Sequence, residues 1–85
     1  MSELSVEWGY YFQMKIELIV GRGRSREVFE VAENEDPNKI ATALVRFSRP
    51  YLMSTTIDAT WDPERKVGIV YVGGYRTVGN ARVLE

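Results

Sequence analysis

Residues 4–20 read LSVEWGYYFQMKIELIV and alternate along their whole length between two sets of positions. One set is apolar throughout, which is the pattern of a β-strand with one buried face: Leu4, Val6, Trp8, Tyr10, Phe12, Met14, Ile16, Leu18 and Val20. At about 3.3 Å per residue the strand would be roughly 55 Å long, about twice what so short a chain can cover with its own core. We therefore expect a strand over residues 10–20 and, before it, an extension over residues 1–9 that bends at Gly9 or rests on another molecule.

The composition is that of one small folded domain. The chain has 85 residues, of which 45% are hydrophobic and 27% are charged, and its net charge is −1. These values exclude a disordered chain, and a domain of this size buries little of its surface unless it packs well or associates. We expect one domain over residues 1–85, with residues 76–85 as a tail that takes part in contacts between copies.

The side chains on which most enzymes depend are missing. The chain contains no Cys and no His, which removes disulfides, thiolate nucleophiles, Ser-His or Cys-His catalysis and the usual zinc and copper ligands. Asp58 and Asp62 are roughly 13 Å apart along one strand, too far for a catalytic carboxylate pair. Residues 30–36 are acidic but lack the spacing of a calcium loop. We predict no enzymatic activity, no cofactor and no metal.

Beyond the first strand, the pattern predicts a hairpin and then a helix. Residues 21–25, GRGRS, provide the glycines of a turn, and alternation resumes over residues 28–31. Asp36 can cap a helix over Pro37–Ser48, with Pro in the first turn and Pro50 as the stop. Apolar residues recur there at helical spacing: Ile40, Leu44, Phe47 and Tyr51.

The second half of the chain predicts two further strands. Alternation returns over residues 55–61, and residues 67–72, beyond a turn, are apolar at both parities, as in an inner strand. Gly73-Gly74 interrupts the pattern, and the tail is either one more short strand around residues 81–84 or loose. The predicted fold is α+β, a four-stranded antiparallel sheet with one helix on one face, in the order ββαββ.

One helix of about twelve residues covers only one face of such a sheet. The other face keeps apolar side chains, namely Tyr11 and Ile19 with either the pair Val70 and Val72 or the pair Ile69 and Tyr71. A patch of this kind usually marks an interaction surface. We therefore expect the chain to form a homodimer or a larger homo-oligomer.

Basic and aromatic side chains are the candidates for a binding site. Arg22, Arg24 and Arg26 cluster at the predicted hairpin tip, where guanidinium groups can hold phosphates; the alternative is a solvated tip whose charges prevent edge-to-edge pairing. Unpaired bases can stack on exposed aromatic rings, although core or dimer packing explains the same rings. The other candidates are Arg49, Arg76, Tyr11, Tyr71 and Tyr75.

Together these features resemble the archaeal single-stranded-nucleic-acid-binding family called ThermoDBP and its shorter relatives. The resemblance covers residues 10–75 and rests on architecture and composition. The shared features are apolar and aromatic side chains on an open sheet face, basic residues around it, one helix behind it, and a thermophile-like lack of Cys. It implies an apolar cleft, flanked by basic groups, that holds single strands on a scaffold that self-associates.

Two functions remain as hypotheses. The first is a non-catalytic module that binds single-stranded DNA or RNA as an oligomer. The second is an adaptor or inhibitor that docks a protein partner through its open sheet face or an edge strand. Because the chain shows no secretory leader and no apolar run of about 18 residues, we expect a cytoplasmic protein without membrane contact.

Overall fold

The computed structural model describes residues 13–84, which form one antiparallel sheet of five strands with one α-helix against it. The helix is α1 (Pro37–Ser48), and the strands are β1 (Gln13–Val20), β2 (Ser25–Ala32), β3 (Ile57–Asp62), β4 (Val67–Val72) and β5 (Arg76–Leu84). The α+β prediction is confirmed. The prediction of four strands in the order ββαββ is wrong, because a fifth strand follows β4. The predicted extension over residues 1–9 and the strand start at Tyr10 lie outside the described residues.

The fifth strand is the tail, for which the sequence leaves a short strand or a loose end open. It lies in the middle of the sheet, whose order is β2-β1-β5-β4-β3, and it pairs with β1 and β4. Gly79 permits this pairing, since a Cβ there would lie 2.9 Å from the carbonyl oxygen of Ile19. The two-residue alternation is broken by a glycine inside β5 and by a register shift beside Val70. The sequence pattern therefore does not indicate a central strand here.

Helix α1 begins and ends where the sequence predicts. The carboxylate of Asp36 accepts a hydrogen bond of 2.9 Å from the backbone N–H of Asn38, and Pro37 occupies the first turn, where its missing donor is not needed. A 3-10 turn over Arg49–Tyr51 follows, in which Pro50 prevents continuation of the α-helix. At 12 residues α1 is too short to cross a bilayer, and residues 13–84 contain no other helix that is long and apolar enough.

The core lies between α1 and one face of the sheet. Every second residue of β1 is buried there, in one cluster with Ile40 and Leu44 of the helix and Trp61 of β3. At the far edge, the ring of Phe47 stacks on that of Phe29 in β2, with centroids 4.6 Å apart. The helix is thus packed across the sheet, and the connection from β2 through α1 to β3 carries the chain from one edge to the other.

The opposite face of the sheet is not covered by α1 and is called the uncovered face. Val70 and Val72 are buried in the core, so the neighbouring positions, Ile69 and Tyr71, belong to the uncovered face. This decides between the two pairs that the sequence leaves open. Ile19 lies on the uncovered face, half-buried, as predicted.

Candidate functional site

One end of the sheet brings three connections together around a cavity. There β1 turns into β2, β4 turns into β5, and the 3-10 turn leads toward β3. The cavity has a volume of about 800 Å³ and is lined mainly by residues 21–24, 51–54 and 76–80. We call it the strand-end cavity.

Three of the predicted phosphate-binding arginines line the strand-end cavity. Arg22 and Arg24 come from the β1–β2 turn, and Arg76 is the first residue of β5. Their meeting depends on the central position of β5, whose Val78 carbonyl accepts a hydrogen bond of 2.9 Å from the N–H of Gly21. All three arginines are exposed, and among residues 13–84 no carboxylate forms an ion pair with them.

The shape of the β1–β2 turn depends on its first glycine. Gly21 has φ 83°, a left-handed conformation that is costly for most residues, and Arg24 has φ 54°. The N–H of Arg24 donates a hydrogen bond of 3.1 Å to the carbonyl of Gly21. Gly21 also lies against the 3-10 turn, because a Cβ there would be 3.4 Å from the carbonyl oxygen of Tyr51. The two connections that line the cavity are therefore in contact with each other.

Two tyrosines lie at this end of the sheet. Tyr75, a predicted site residue, is 87% exposed in the β4–β5 turn, where it and Arg76 border a smaller depression. Tyr51 lines the strand-end cavity and is missing from the predicted site, because helical spacing assigns it to the apolar face of the helix. The signal against that assignment is Pro50, which ends α1 before Tyr51 and turns the chain toward the cavity.

The other predicted site residues do not line the strand-end cavity. Arg26 lies on the uncovered face of β2, and Arg49 begins the 3-10 turn. Tyr71 is half-buried on the uncovered face of β4. Tyr11 lies outside residues 13–84.

On the uncovered face, Glu17 of β1 binds one arginine from each neighbouring strand. Arg26 donates from Nε to Oε2 at 2.5 Å, and Arg82 donates from Nε to Oε1 at 3.0 Å. These hydrogen bonds, the one from Arg26 above all, lower the pKa of Glu17 below its ordinary value. Arg26 is close to Arg22 and Arg24 in sequence, but it forms an ion pair with Glu17 instead of lining the cavity.

The basic and acidic runs of the sequence lie at opposite ends of β1 and β2. The arginines of residues 21–24 stand at the end with the cavity. Residues 33–36, with Glu33, Glu35 and Asp36, follow β2 at the other end. There Lys66 Nζ lies 3.7 Å from the Glu33 carboxylate. The net charge of the chain therefore hides a separation of charge along the strands.

Within the part of the chain that the structure describes, no three acidic side chains come together in a way that could hold a metal ion. Comparison with protein-family models, with curated proteins and with solved structures finds no match to this chain.

Proposed function

We propose that this chain binds single-stranded DNA or RNA without catalysing a reaction, and that it does so as an oligomer. The observation that carries the proposal is the meeting of Arg22, Arg24 and Arg76 at the strand-end cavity. Guanidinium groups form paired hydrogen bonds with phosphate oxygens. Three of them around one cavity suit a ligand with several negative charges, and a nucleic-acid backbone provides one charge per nucleotide.

The acidic run of residues 33–36 does not oppose this role. Strand β1 has 8 residues, so its ends are about 26 Å apart. The Debye length at physiological ionic strength is about 8 Å. Residues 33–36 at the far end are therefore largely screened from a phosphate in the strand-end cavity.

An exposed aromatic ring beside the arginines favours single strands over duplexes. Tyr75 buries little of its ring, and it is next to Arg76 in sequence. Base–aromatic stacking contributes about 1–3 kcal/mol per base, and single strands offer unpaired bases for it. A strand whose phosphates lie on the arginines can place a base on this tyrosine.

Self-association is proposed from the uncovered face. Val28, Val67 and Ile69 are 40%, 40% and 44% exposed there. Between them, Glu17 forms ion pairs with Arg26 and Arg82. A second copy can bury these apolar side chains, and their removal from water favours association. Light scattering tests this: Ile69→Lys on the uncovered face should give monomers, and Thr42→Lys on the outer side of α1 should not.

Fluorescence anisotropy with a labelled oligonucleotide of mixed sequence, at low and moderate salt, tests the binding proposal. The cavity variant combines Arg22→Ser, Arg24→Asn and Arg76→Ser; Asn is chosen because it tolerates the left-handed φ of Arg24. The control combines Lys39→Ser, Arg46→Ser and Arg65→Ser, which removes the same charge from exposed positions outside the cavity.

The two triple variants should behave differently. We expect the cavity variant to lose binding and the control variant to keep most of it. Equal losses would mean that charge alone attracts the oligonucleotide, and no binding by the wild type at low salt would contradict the proposal.

Docking of a protein partner is the second candidate function, and the exposure of Val28, Val67 and Ile69 favours it. Within residues 13–84, the sheet also ends in two edge strands, β2 and β3, to which another strand can add. If this candidate is right, the wild type remains a monomer, binds no oligonucleotide at low salt, and keeps the uncovered face free for a partner.

A further inference from the structure

Gly23 is a glycine that the β1–β2 turn does not require. Its φ lies outside the left-handed range, unlike that of Gly21. A Cβ built at Gly23 would meet no heavy atom within 4 Å among the described residues. Neither backbone conformation nor crowding therefore explains the missing side chain. Gly23 does line the strand-end cavity.

Because Gly23 has no side chain, a ligand can reach the backbone between two arginines. Arg22 and Arg24 flank Gly23, and all three line the cavity. A backbone without Cβ allows a ligand to approach closely, and turns with exposed backbone N–H groups are common anion sites. The position is therefore suited to a phosphate group that contacts the turn itself as well as the guanidinium groups.

Another part of the lining is apolar and suits a base. Met53 is fully exposed and Tyr51 is 38% exposed, and both line the cavity. A fully exposed methionine gains nothing from the core of its own chain, and a thioether adapts well to a flat aromatic ring. Tyr51 offers a ring for stacking.

The size of the cavity limits what it can hold. Its volume of about 800 Å³ falls in the range of about 300–1,000 Å³ that is typical of sites for one small ligand. A nucleotide fits in such a space, whereas a longer segment of a strand must continue outside it. Tyr75 borders the neighbouring depression, where a second base can lie.

We propose that the strand-end cavity is a single-nucleotide pocket. Residues 21–24 and Arg76 hold the phosphate of one nucleotide, and Tyr51 and Met53 hold its base. This inference rests on the proposed function and narrows the recognised part of a strand to one nucleotide. A free nucleoside monophosphate is then a complete ligand for the cavity and competes with an oligonucleotide.

Titration of the full chain with adenosine 5′-monophosphate, adenosine and inorganic phosphate tests the pocket. The nucleotide should bind about tenfold or more tightly than either of its parts, since charged hydrogen bonds and base contacts add. Amide NMR shifts should concentrate in residues 21–24, 51–54 and 76–80. In the anisotropy assay, the nucleotide should displace the labelled oligonucleotide.

Three variants test which residues contact which part of the ligand. Gly23→Ala should weaken nucleotide binding about tenfold, while its melting temperature stays the same or rises because alanine restricts the unfolded chain. Met53→Ser should weaken nucleotide binding and leave the affinity for inorganic phosphate unchanged. Tyr75 lies outside the pocket, so Tyr75→Ser should weaken binding of the oligonucleotide and leave binding of the nucleotide unchanged.

The outcomes separate this inference from the proposed function. If the oligonucleotide binds but the nucleotide does not displace it, or binds no better than inorganic phosphate, the single-nucleotide pocket is wrong and the proposed function stands. Wild-type nucleotide affinity in Gly23→Ala would overturn the placement of the phosphate. If neither ligand binds at low salt, both proposals are wrong.

Discussion

Tyr51 and Glu27, 24 residues apart in sequence, are joined by a hydrogen bond in which the phenolic hydroxyl donates to the carboxylate Oε2. Tyr51 ends the 3-10 turn and Glu27 belongs to β2, so this bond fastens the connection after α1 to the edge of the sheet. It also fixes the ring of Tyr51 at the strand-end cavity. Together with the contact between Gly21 and the 3-10 turn, it positions this part of the cavity lining.

Tyr51→Phe removes the hydrogen bond to Glu27 but keeps an aromatic ring in the lining of the cavity. We expect weaker oligonucleotide binding in the anisotropy assay and a lower urea midpoint, because the 3-10 turn loses its bond to β2. The matched control is Tyr75→Phe, whose hydroxyl forms no hydrogen bond within residues 13–84; it should behave like the wild type. A Tyr51→Phe protein that matches the wild type in both measurements would show that the hydrogen bond positions nothing.

The same bond predicts a dependence on alkaline pH. The hydrogen bond to Glu27 raises the pKa of Tyr51 above its ordinary value of 10.0. A raised pKa in the folded state means that the stabilising contribution is complete below the ordinary pKa and is lost as the pH rises through the folded one. The difference in unfolding free energy between the wild type and Tyr51→Phe should stay constant from about pH 7 to about pH 9 and shrink above about pH 10. Urea unfolding across this range measures it, and a difference already gone near neutral pH would refute the assignment.

Glu17 predicts the opposite dependence, in acid. Hydrogen bonds from Arg26 and Arg82 lower its pKa from 4.5, so its contribution is present above the ordinary value and is lost as the pH falls through the folded pKa. Glu17→Gln should be less stable than the wild type at neutral pH and equal to it in strong acid. Glu30→Gln, on the same face without an ion pair in the described part of the chain, is the control and should change little. Urea unfolding as a function of pH checks both variants, and a constant gap between Glu17→Gln and the wild type down to strong acid would contradict the prediction.

Gly68 should be far less tolerant of a methyl group than Gly23. A Cβ at Gly68 would lie 2.8 Å from the backbone oxygen of Thr60 and 2.8 Å from Cδ1 of Leu44. The neighbouring strand cannot yield without breaking its pairing, so Gly68→Ala should cost about 1–3 kcal/mol of unfolding free energy. Gly23→Ala should cost nothing or stabilise by about 0.4–1 kcal/mol. Thermal and urea unfolding of both variants measure these differences in stability. A Gly68→Ala protein as stable as the wild type would contradict the prediction.

The helix and the turns could be predicted from the sequence because their signals are local. Asp36, Pro37 and Pro50 act within a few residues of themselves, and the predicted bounds of α1 are those observed. β5 could not be predicted in this way. Its evidence is its pairing with β1 and β4, and the glycine that permits this pairing looks like a strand breaker in the sequence.

The same difference between local and long-range signals applies to the candidate site. Arg22 and Arg24 belong to one turn, so the sequence alone predicts that they lie close together. Arg76 lies near them because β5 is in the middle of the sheet. Arg26 lies apart from them because it pairs with Glu17 on the neighbouring strand. Both are consequences of long-range pairing, which periodicity does not reveal.

The salt dependence of binding should distinguish the arginines at the cavity from Arg26. For single strands, each phosphate contact contributes about 0.7 to the slope of log affinity against log salt concentration, because bound counterions are released. Arg22→Ser should therefore lower the slope by about 0.7. Arg26→Gln should leave it nearly unchanged, since Arg26 is held in an ion pair with Glu17 and does not line the strand-end cavity. Anisotropy titrations at several salt concentrations measure both slopes. If Arg26→Gln lowered the slope as much as Arg22→Ser does, the arginines of the hairpin would act as one undivided basic patch, and the strand-end cavity would lose its special role.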